Sequence, residues 1–287
     1  MMATPYMPFG LGVLRRAVRR MYAATPVEGI GFAVVFVYET FVSIPVALHR
    51  YRAQTMRMIT DLTWGRGSVI VGGGTVPVLV ILGIAIGGGV GIQGYMALNL
   101  VGLGPMTGVI SAFANTRELA PIAAAVGFAA QAGCRMTAEI GSMRISEEID
   151  ALESLGLRSI PFVVTTRVLA GAITVVPTFL VALLLSYLSC SAVVLVVHGQ
   201  STGIYNHYFD QFVNLHDIVA AVVKMLVFSV VVILIHCYQG FFATGGPEGV
   251  GIASGRAVRA SFIAIITLDM MLTVVLWGIN APITFSG

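Results

Sequence analysis

The chain has 287 residues, of which 57% are hydrophobic and only 10% are charged, and its mean hydropathy is +0.93. Soluble domains carry about 25% charged residues, so this composition excludes a water-soluble fold, a disordered chain and a nucleic-acid-binding protein. The formal net charge is only +3, and the positions of the charges are more informative than their sum.

The N-terminal region is predicted to lie on a membrane rather than across it. Apolar residues and arginines alternate at helical spacing between residues 14 and 21, which predicts a basic amphipathic helix suited to an anionic surface. The apolar stretch at residues 30–48 contains Glu39 and has arginines on both sides. It therefore predicts a helix that lies in the interface or dips in and returns. Residues 1–10 lack the pattern of a cleaved signal peptide, so insertion without cleavage is expected.

Five later stretches are apolar over the roughly 20 residues that a transmembrane helix needs. They are predicted near residues 69–95, 106–140, 168–191, 218–239 and 260–279. Arginines cluster before the first stretch, between the second and third, and between the fourth and fifth, whereas the alternate connections contain neither lysine nor arginine. Short basic connections stay in the cytoplasm. The pattern predicts an all-α, multi-pass protein of the plasma membrane, with its N-terminus in the cytoplasm and its C-terminus outside.

Charged side chains inside the predicted spans need partners, because each costs about 2.5–3.5 kcal/mol at the centre of a membrane helix. The deepest are Arg117 and Glu118 in the second span, Lys224 in the fourth and Asp269 in the fifth. We predict that Lys224 pairs with Asp269 and holds these two helices together. A proton relay through the same residues is the functional alternative.

Other small patterns have plainer interpretations. Gly83, Gly87 and Gly91 recur every fourth residue, which indicates close helix packing either within the chain or at a dimer seam. Each of the three cysteines stands alone in an apolar stretch, so neither a disulfide nor a metal site is expected. The histidines and aspartates of the connection at residues 197–217 have irregular spacing, which favours a solvated loop that meets an external partner over a zinc site.

A short helix is predicted in the connection between the second and third spans. Ser146 is expected to cap its start, and Gly156 is expected to end it in the left-handed conformation. Apolar residues line one face and acidic residues another, so the helix forms an acidic knob. It either docks on a partner or merely joins two spans. The residues assigned to its docking surface are Ser146, Glu147, Glu148, Ile149, Asp150, Leu152 and Glu153.

Several motifs resemble the MlaE/YrbE permease family in the same order along the chain. They are Gln-Gly-Tyr at 93–95, Asn-Thr-Arg-Glu-Leu-Ala-Pro at 115–121, Gly-Cys-Arg-Met-Thr-Ala-Glu-Ile-Gly at 133–141, Glu-Glu-Ile-Asp-Ala-Leu-Glu-Ser-Leu-Gly at 147–156 and Gly-Gly-Pro-Glu-Gly-Val-Gly at 245–251. The resemblance covers most of the chain from about residue 67 and is greatest to the actinobacterial YrbE subunits of Mce lipid transporters.

This resemblance implies a fold of five spans with an N-terminal elbow helix, in which residues 1–65 precede a permease domain at 66–287. It implies the membrane subunit of an ATP-driven transporter that takes up a lipid such as a fatty acid or sterol. The short acidic helix matches the coupling helix that docks on a cytoplasmic ABC ATPase. The other implied partners are a second, related permease chain and MCE-domain proteins on the outer side. A lipid pathway is expected near Gln93, Tyr95 and Met96.

ATP hydrolysis is expected to come from another polypeptide. Lys224 is the single lysine and is not part of a GxxxxGK[ST] phosphate-binding loop. We therefore expect a subunit that is not an enzyme and binds no cofactor, with ATP and Mg²⁺ on the partner ATPase. Two alternatives remain open: an ion- or proton-coupled carrier that uses Lys224, Glu118 and Asp269, and a membrane anchor for MCE proteins that transports nothing.

Overall fold

The computed structural model describes residues 26–65 and 74–278, with side chains from residue 31 onward. These residues are almost entirely helical. The basic amphipathic helix predicted at residues 14–21 lies outside the described residues. So do the first residues of the predicted first span and the last residue of the predicted fifth.

Within residues 26–65 and 74–278, five helices are long and apolar enough to cross a membrane, which confirms the predicted all-α membrane fold. The first span is Thr75–Asn99, the second Gly104–Ile145, the third Ile160–Val197, the fourth Leu215–Phe241 and the fifth Gly246–Trp277. The second span has 42 residues, whereas about 20 residues suffice to cross the hydrocarbon core. It therefore extends well beyond the apolar part of a membrane.

The region before the first span forms three helices, Pro26–Val42, Ile44–Arg50 and Arg52–Trp64. The first two are bent by 44° where they meet. We call Pro26–Val42 the elbow helix. Its Phe36 ring packs 5.5 Å from Tyr238, near the end of the fourth span, and Tyr51 packs 5.3 Å from Phe162, near the start of the third. Both contacts are at the same end of the bundle, which favours an interfacial or re-entrant placement over a full crossing.

Two short helices define the ends of the bundle. The loop helix, Glu148–Ser154, joins the second and third spans, and the helix Thr202–Phe212 lies in the connection between the third and fourth. We call the end of the bundle at Glu148–Ser154 the loop-helix end and the end at Thr202–Phe212 the far end.

The prediction of a solvated loop at residues 197–217 is wrong in part, because this connection is mostly helical and its Tyr205 is only 2% exposed. Burial raises the pKa of the Tyr205 hydroxyl.

The repeated glycines pack the first span against the third within one chain. A Cβ atom on Gly83 would collide with the carbonyl oxygen of Ala182, and one on Gly87 would collide with that of Ser186. A Cβ on Gly91 would lie 3.0 Å from the carbonyl oxygen of Cys190 on the next turn. Small residues allow such close approach of helices in lipid. Of the two interpretations of this repeat, packing within the chain is the one observed.

The second span is not a uniform α-helix. It contains π-helical stretches at Ser111–Leu119 and Ala129–Gly133. The first of them contains Arg117 and Glu118. π-Helical turns are frequent at functional sites, and both charged residues of the first stretch contact partners on the fourth span.

Candidate functional site

The residues predicted to be functional fall in three separate places: the loop helix, a polar cluster toward the far end, and a groove beside the first span. The loop helix is fixed to the bundle by its apolar face. Ile149 is 1% exposed and belongs to the main hydrophobic core, and Leu152 packs against that core. Glu147, Glu148, Asp150 and Glu153 are all exposed.

The predicted start of the loop helix is wrong by one residue, because Glu147 and not Ser146 is the residue that precedes its first turn. Ser146 ends the second span instead of capping the loop helix, and its hydroxyl donates either to the Ser142 carbonyl oxygen at 2.9 Å or to Glu148 Oε1 at 3.0 Å. Glu147 precedes the loop helix in the left-handed conformation, with φ of 59°. The chain turns sharply between the second span and the loop helix, and the turn occurs at Glu147. A side chain in this conformation costs about 1–2 kcal/mol.

The predicted end of the loop helix is confirmed. Gly156 is left-handed, with φ of 75°. Its N–H donates to the Glu153 carbonyl at 3.0 Å, and the Leu157 N–H donates to the Leu152 carbonyl at 3.0 Å. This pair of bonds is the Schellman arrangement that closes helices. The loop helix is therefore short but sharply bounded at both ends.

Three of the four acidic side chains have a nearby partner, and for Glu148 that partner is the Ser146 hydroxyl described above. Arg144 Nη1 lies 2.7 Å from Asp150 Oδ1, and the Ser159 hydroxyl donates to Glu153 Oε1 at 2.6 Å. Glu147 and Glu148 have no basic partner within 4 Å among the described residues. Both side chains are exposed at the surface of the loop helix.

Charged residues directly beneath the loop helix connect the neighbouring elements. Glu139 lies between Arg135, with Nε 2.9 Å from Oε1, and Arg167, with Nη2 3.3 Å from Oε2. Arg135 Nη1 also donates to the Asp61 carbonyl oxygen at 3.1 Å. The end of the second span is thus linked both to the third span and to the helix Arg52–Trp64. A pocket of about 300 Å³ beside these groups is lined by Glu139, Arg167 and Glu148.

The polar cluster toward the far end centres on Lys224, which is completely buried. Its Nζ lies 2.6 Å from Asp269 Oδ1, so the predicted pair is present. Nζ also lies 2.9 Å from Glu118 Oε2 and donates to the Thr273 hydroxyl at 2.7 Å. Glu118 therefore shares the lysine, which the sequence did not indicate. Exchanging Lys224 and Asp269 is no clean test of the pair, because the exchange would place an aspartate beside Glu118.

Arg117 belongs to a second ion pair that the sequence analysis missed. Its Nε and Nη2 donate to Asp217 Oδ2 at 3.0 and 2.9 Å, and the Trp277 indole N–H donates to Asp217 Oδ1 at 2.7 Å. The Arg117 guanidinium also lies 3.9 Å from the centre of the Phe113 ring. Asp217 was assigned to the solvated loop, but it is only 3% exposed. The sequence did contain a signal for this pair: Asp217 directly precedes an apolar span, and no acidic partner had been predicted for Arg117 in the second span.

The two ion pairs form one unit, because Lys224 Nζ also donates to the Arg117 carbonyl oxygen at 2.9 Å. This unit joins the second, fourth and fifth spans. All four predicted intramembrane charges, Arg117, Glu118, Lys224 and Asp269, have an oppositely charged partner within the chain. The arrangement therefore explains why charged side chains are tolerated in these spans.

The residues predicted for the lipid pathway do not share one face. Gln93 lines a groove of about 360 Å³ between the first and second spans, with Gly89, Ile110 and Leu119. The Tyr95 ring instead stacks on His198 at 4.0 Å, and its hydroxyl accepts a bond from Gln200 Nε2 at 2.9 Å. Met96 is 60% exposed. Neighbouring residues on a helix point in different directions, so only Gln93 lies at the groove.

No group of three His, Cys, Asp or Glu side chains that could hold a metal ion occurs within the described residues. The three cysteines are free thiols. His198 and Asp217, two of the residues on which the zinc interpretation was based, are engaged instead with Tyr95 and Arg117.

Comparisons with known proteins place the chain among membrane permeases. A family model described as Permease MlaE matches residues 65–275. A probable ABC transporter permease protein of Rickettsia typhi is 28% identical over 75% of this chain and 83% of the relative. The intermembrane phospholipid transport system permease protein MlaE of Haemophilus influenzae is 28% identical over 70% of this chain and 77% of the relative. The chloroplastic protein TRIGALACTOSYLDIACYLGLYCEROL 1 of Arabidopsis thaliana is 31% identical over 63% of this chain and 52% of the relative.

Proposed function

The chain belongs to the MlaE permease family of ABC transporter permeases, and we propose that it is the membrane subunit of an ATP-driven lipid transporter. The family predicted from the motifs is thereby confirmed, and the narrower YrbE assignment remains part of the proposal. The lipid substrate is supported by the Haemophilus influenzae relative, whose name describes phospholipid transport. A fatty acid or sterol is the lipid class that the YrbE likeness favours.

The observation that carries this proposal is the construction of the loop helix. Its apolar side is anchored by Ile149, and its start and end are sharply defined. Glu147 and Glu148 extend outward without basic partners among the described residues. A rigid acidic knob of this kind suits a groove with basic residues on a separate ATPase, which would hold ATP and Mg²⁺. Docking there would transmit movement of the ATPase to the permease.

The second span supplies the mechanical connection in this proposal. At one end it carries Glu139, beneath the loop helix, and farther along it carries Arg117 and Glu118, which are bound to the fourth and fifth spans. A displacement of the loop helix would therefore reach the polar cluster through a single continuous helix. The groove at Gln93 lies between this helix and the first span, so it would change shape with the same movement.

We propose that the loop-helix end faces the cytoplasm. The arginine-rich connections all lie at this end, and basic connections are retained in the cytoplasm. The N-terminus would then be cytoplasmic, the C-terminus external, and the far end would meet MCE-domain proteins. A second, related permease chain would complete a lipid pathway that begins at the groove beside Gln93, and uptake is the proposed direction. Residues 1–65 would form an accessory region of the permease domain at 66–287.

One observation favours the carrier alternative: Lys224 is shared by the two carboxylates of Glu118 and Asp269. Ionisable residues inside a membrane, including chains of acidic residues, mark proton relays in pumps and transporters. A carrier would move its substrate in response to a pH gradient without nucleotide. A lipid transporter driven by ATP would need nucleotide and would not respond to the gradient alone. A membrane anchor would move lipid under neither condition.

The direct test is charge reversal on the loop helix. Glu148→Lys should weaken copurification of an ATPase about tenfold, because it opposes a basic docking surface. The matched control is Asp210→Lys, which reverses an exposed aspartate at the far end and should leave copurification unchanged. The measurement is ATPase recovered per permease, together with ATP-dependent lipid transport in vesicles. Equal recovery with both variants would contradict the proposed docking surface.

A further inference from the structure

A second groove lies beside the elbow helix. It has a volume of about 190 Å³ and separates the elbow helix from the fourth and fifth spans. Its walls include Ala33 and Val37 of the elbow helix, Leu234 of the fourth span and Ala260 of the fifth, and Gln239 provides a polar group. The groove at Gln93 is lined by the first and second spans instead. The two grooves are therefore separate sites.

Two exposed arginines lie next to this second groove. Arg256 is four residues before Ala260, so the two share one face of the fifth span, and Arg259 lies one turn beyond Arg256 on the same side as that arginine. The fifth span begins at the loop-helix end, where Val250 packs 2.8 Å from the Cβ position of Gly141. Arg256 thus lies between the groove and that end of the bundle. Neither arginine forms an ion pair with any residue that the structure describes.

The combination of an apolar slot and nearby guanidinium groups matches the two parts of a phospholipid. The apolar walls of the slot suit an acyl chain. Arginine binds phosphate through two N–H donors in a fixed geometry. Lysines and arginines near the membrane surface favour anionic lipids. Glu39 is three residues beyond Phe36, which also lines the groove, so Glu39 lies at one edge of the groove wall.

We propose that this second groove binds one anionic phospholipid of the leaflet at the loop-helix end. One acyl chain fills the slot between the elbow helix and the fourth and fifth spans, and the phosphate contacts Arg256 and Arg259. The lipid is a bound component and not the cargo, because it lies away from the groove at Gln93. Its role is to fasten the elbow helix to the bundle. The site stands independently of the proposed lipid transport.

The test is native mass spectrometry of the full-length protein in the assembly in which it purifies. The protein is equilibrated with equal amounts of phosphatidylglycerol and phosphatidylcholine, and retained lipids are counted. The wild type should retain one phosphatidylglycerol in preference to phosphatidylcholine. Arg256→Gln should lower this retention about fivefold, as expected for the loss of one arginine near an anionic headgroup. The matched control is Arg158→Gln, which removes an exposed arginine from the connection beside the loop helix and should leave retention unchanged.

A second variant tests the slot itself. Ala260→Trp places a large ring between the elbow helix and the fifth span, so it should displace the lipid while both arginines remain. Equal retention of the two lipids by the wild type would overturn the proposal. So would equal losses in Arg256→Gln and Arg158→Gln, or full retention of phosphatidylglycerol by Ala260→Trp.

Discussion

The charges inside the bundle differ from those on the loop helix in how they are partnered. Lys224 is completely buried and is surrounded by Asp269, Glu118 and Thr273, all from the same chain. Glu147 and Glu148 are exposed and have no basic partner among the described residues. The internal charges serve the fold, whereas the loop-helix charges remain available to another protein.

This difference follows from the cost of an unpaired charge in each environment. Within a membrane an unpaired charge is expensive, so a stable bundle must supply the opposite charge itself. In water an unpaired carboxylate costs almost nothing, and an exposed ion pair contributes little. The pairing of the internal charges is therefore explained by stability alone, whereas stability neither requires nor opposes the acidic edge of the loop helix, which leaves this edge free to bind a partner.

The largest effect is expected from Lys224→Met. It leaves the Glu118 and Asp269 carboxylates without a cation in the interior, and breaking a buried ion pair in this way costs about 3–5 kcal/mol. We expect loss of folded protein, measured as the unaggregated fraction after extraction into detergent and as the unfolding temperature. Asp210→Asn, at an exposed position, is the control and should behave as the wild type. A Lys224→Met protein as stable as this control would show that the cluster does not hold the spans together.

The next largest effect is expected from adding a methyl group where the first span packs against the third. Gly87→Ala adds a Cβ that collides with the Ser186 carbonyl of the third span, and overpacking of this kind costs about 1–3 kcal/mol. Gly89→Ala is the matched control, because its Cβ has no atom of the described structure within 4 Å. The unfolding temperature should fall for Gly87→Ala and stay constant or rise slightly for Gly89→Ala. A fall of equal size in both would indicate a general effect of helix composition.

The sequence predicted the features for which one physical requirement was sufficient. Length and hydropathy identified five spans, since the membrane thickness sets the number of apolar residues. The high cost of an unpaired intramembrane charge predicted the contact between Lys224 and Asp269. The left-handed Gly156 was also predicted correctly, because glycine adopts this conformation with little strain.

The features that were missed depend on how distant segments meet. Asp217 appeared to belong to a solvated connection, and only the folded bundle places it against Arg117. Glu118 was identified as an intramembrane charge, but its contact with Lys224 requires the π-helical stretch of the second span. Ser146 looked like a helix cap because it precedes two glutamates, yet the left-handed turn occurs at Glu147. The sequence contains no local signal for that displacement.

The smallest effect is expected at Glu147 and has opposite signs for stability and function. Glu147→Gly removes the strain of a positive φ, which should stabilise the protein by about 1 kcal/mol. It also removes one of the exposed carboxylates of the loop helix, so association with the ATPase should weaken. Glu148→Gly is the control, because Glu148 already has a helical conformation, and glycine there should lower stability. The unfolding temperature and ATPase recovery are measured on the same preparations, and a lower unfolding temperature for Glu147→Gly would contradict the strain argument.

The central claim is that the loop helix contacts a separate ATPase. Its most direct test is a photo-crosslinking amino acid at Leu155, which is 76% exposed directly after the loop helix. The claim predicts a crosslinked product that contains the permease and a nucleotide-binding chain, obtained while ATP is being hydrolysed. Crosslinks only within the permease chain, under conditions in which ATP hydrolysis by the copurified assembly continues, would contradict it.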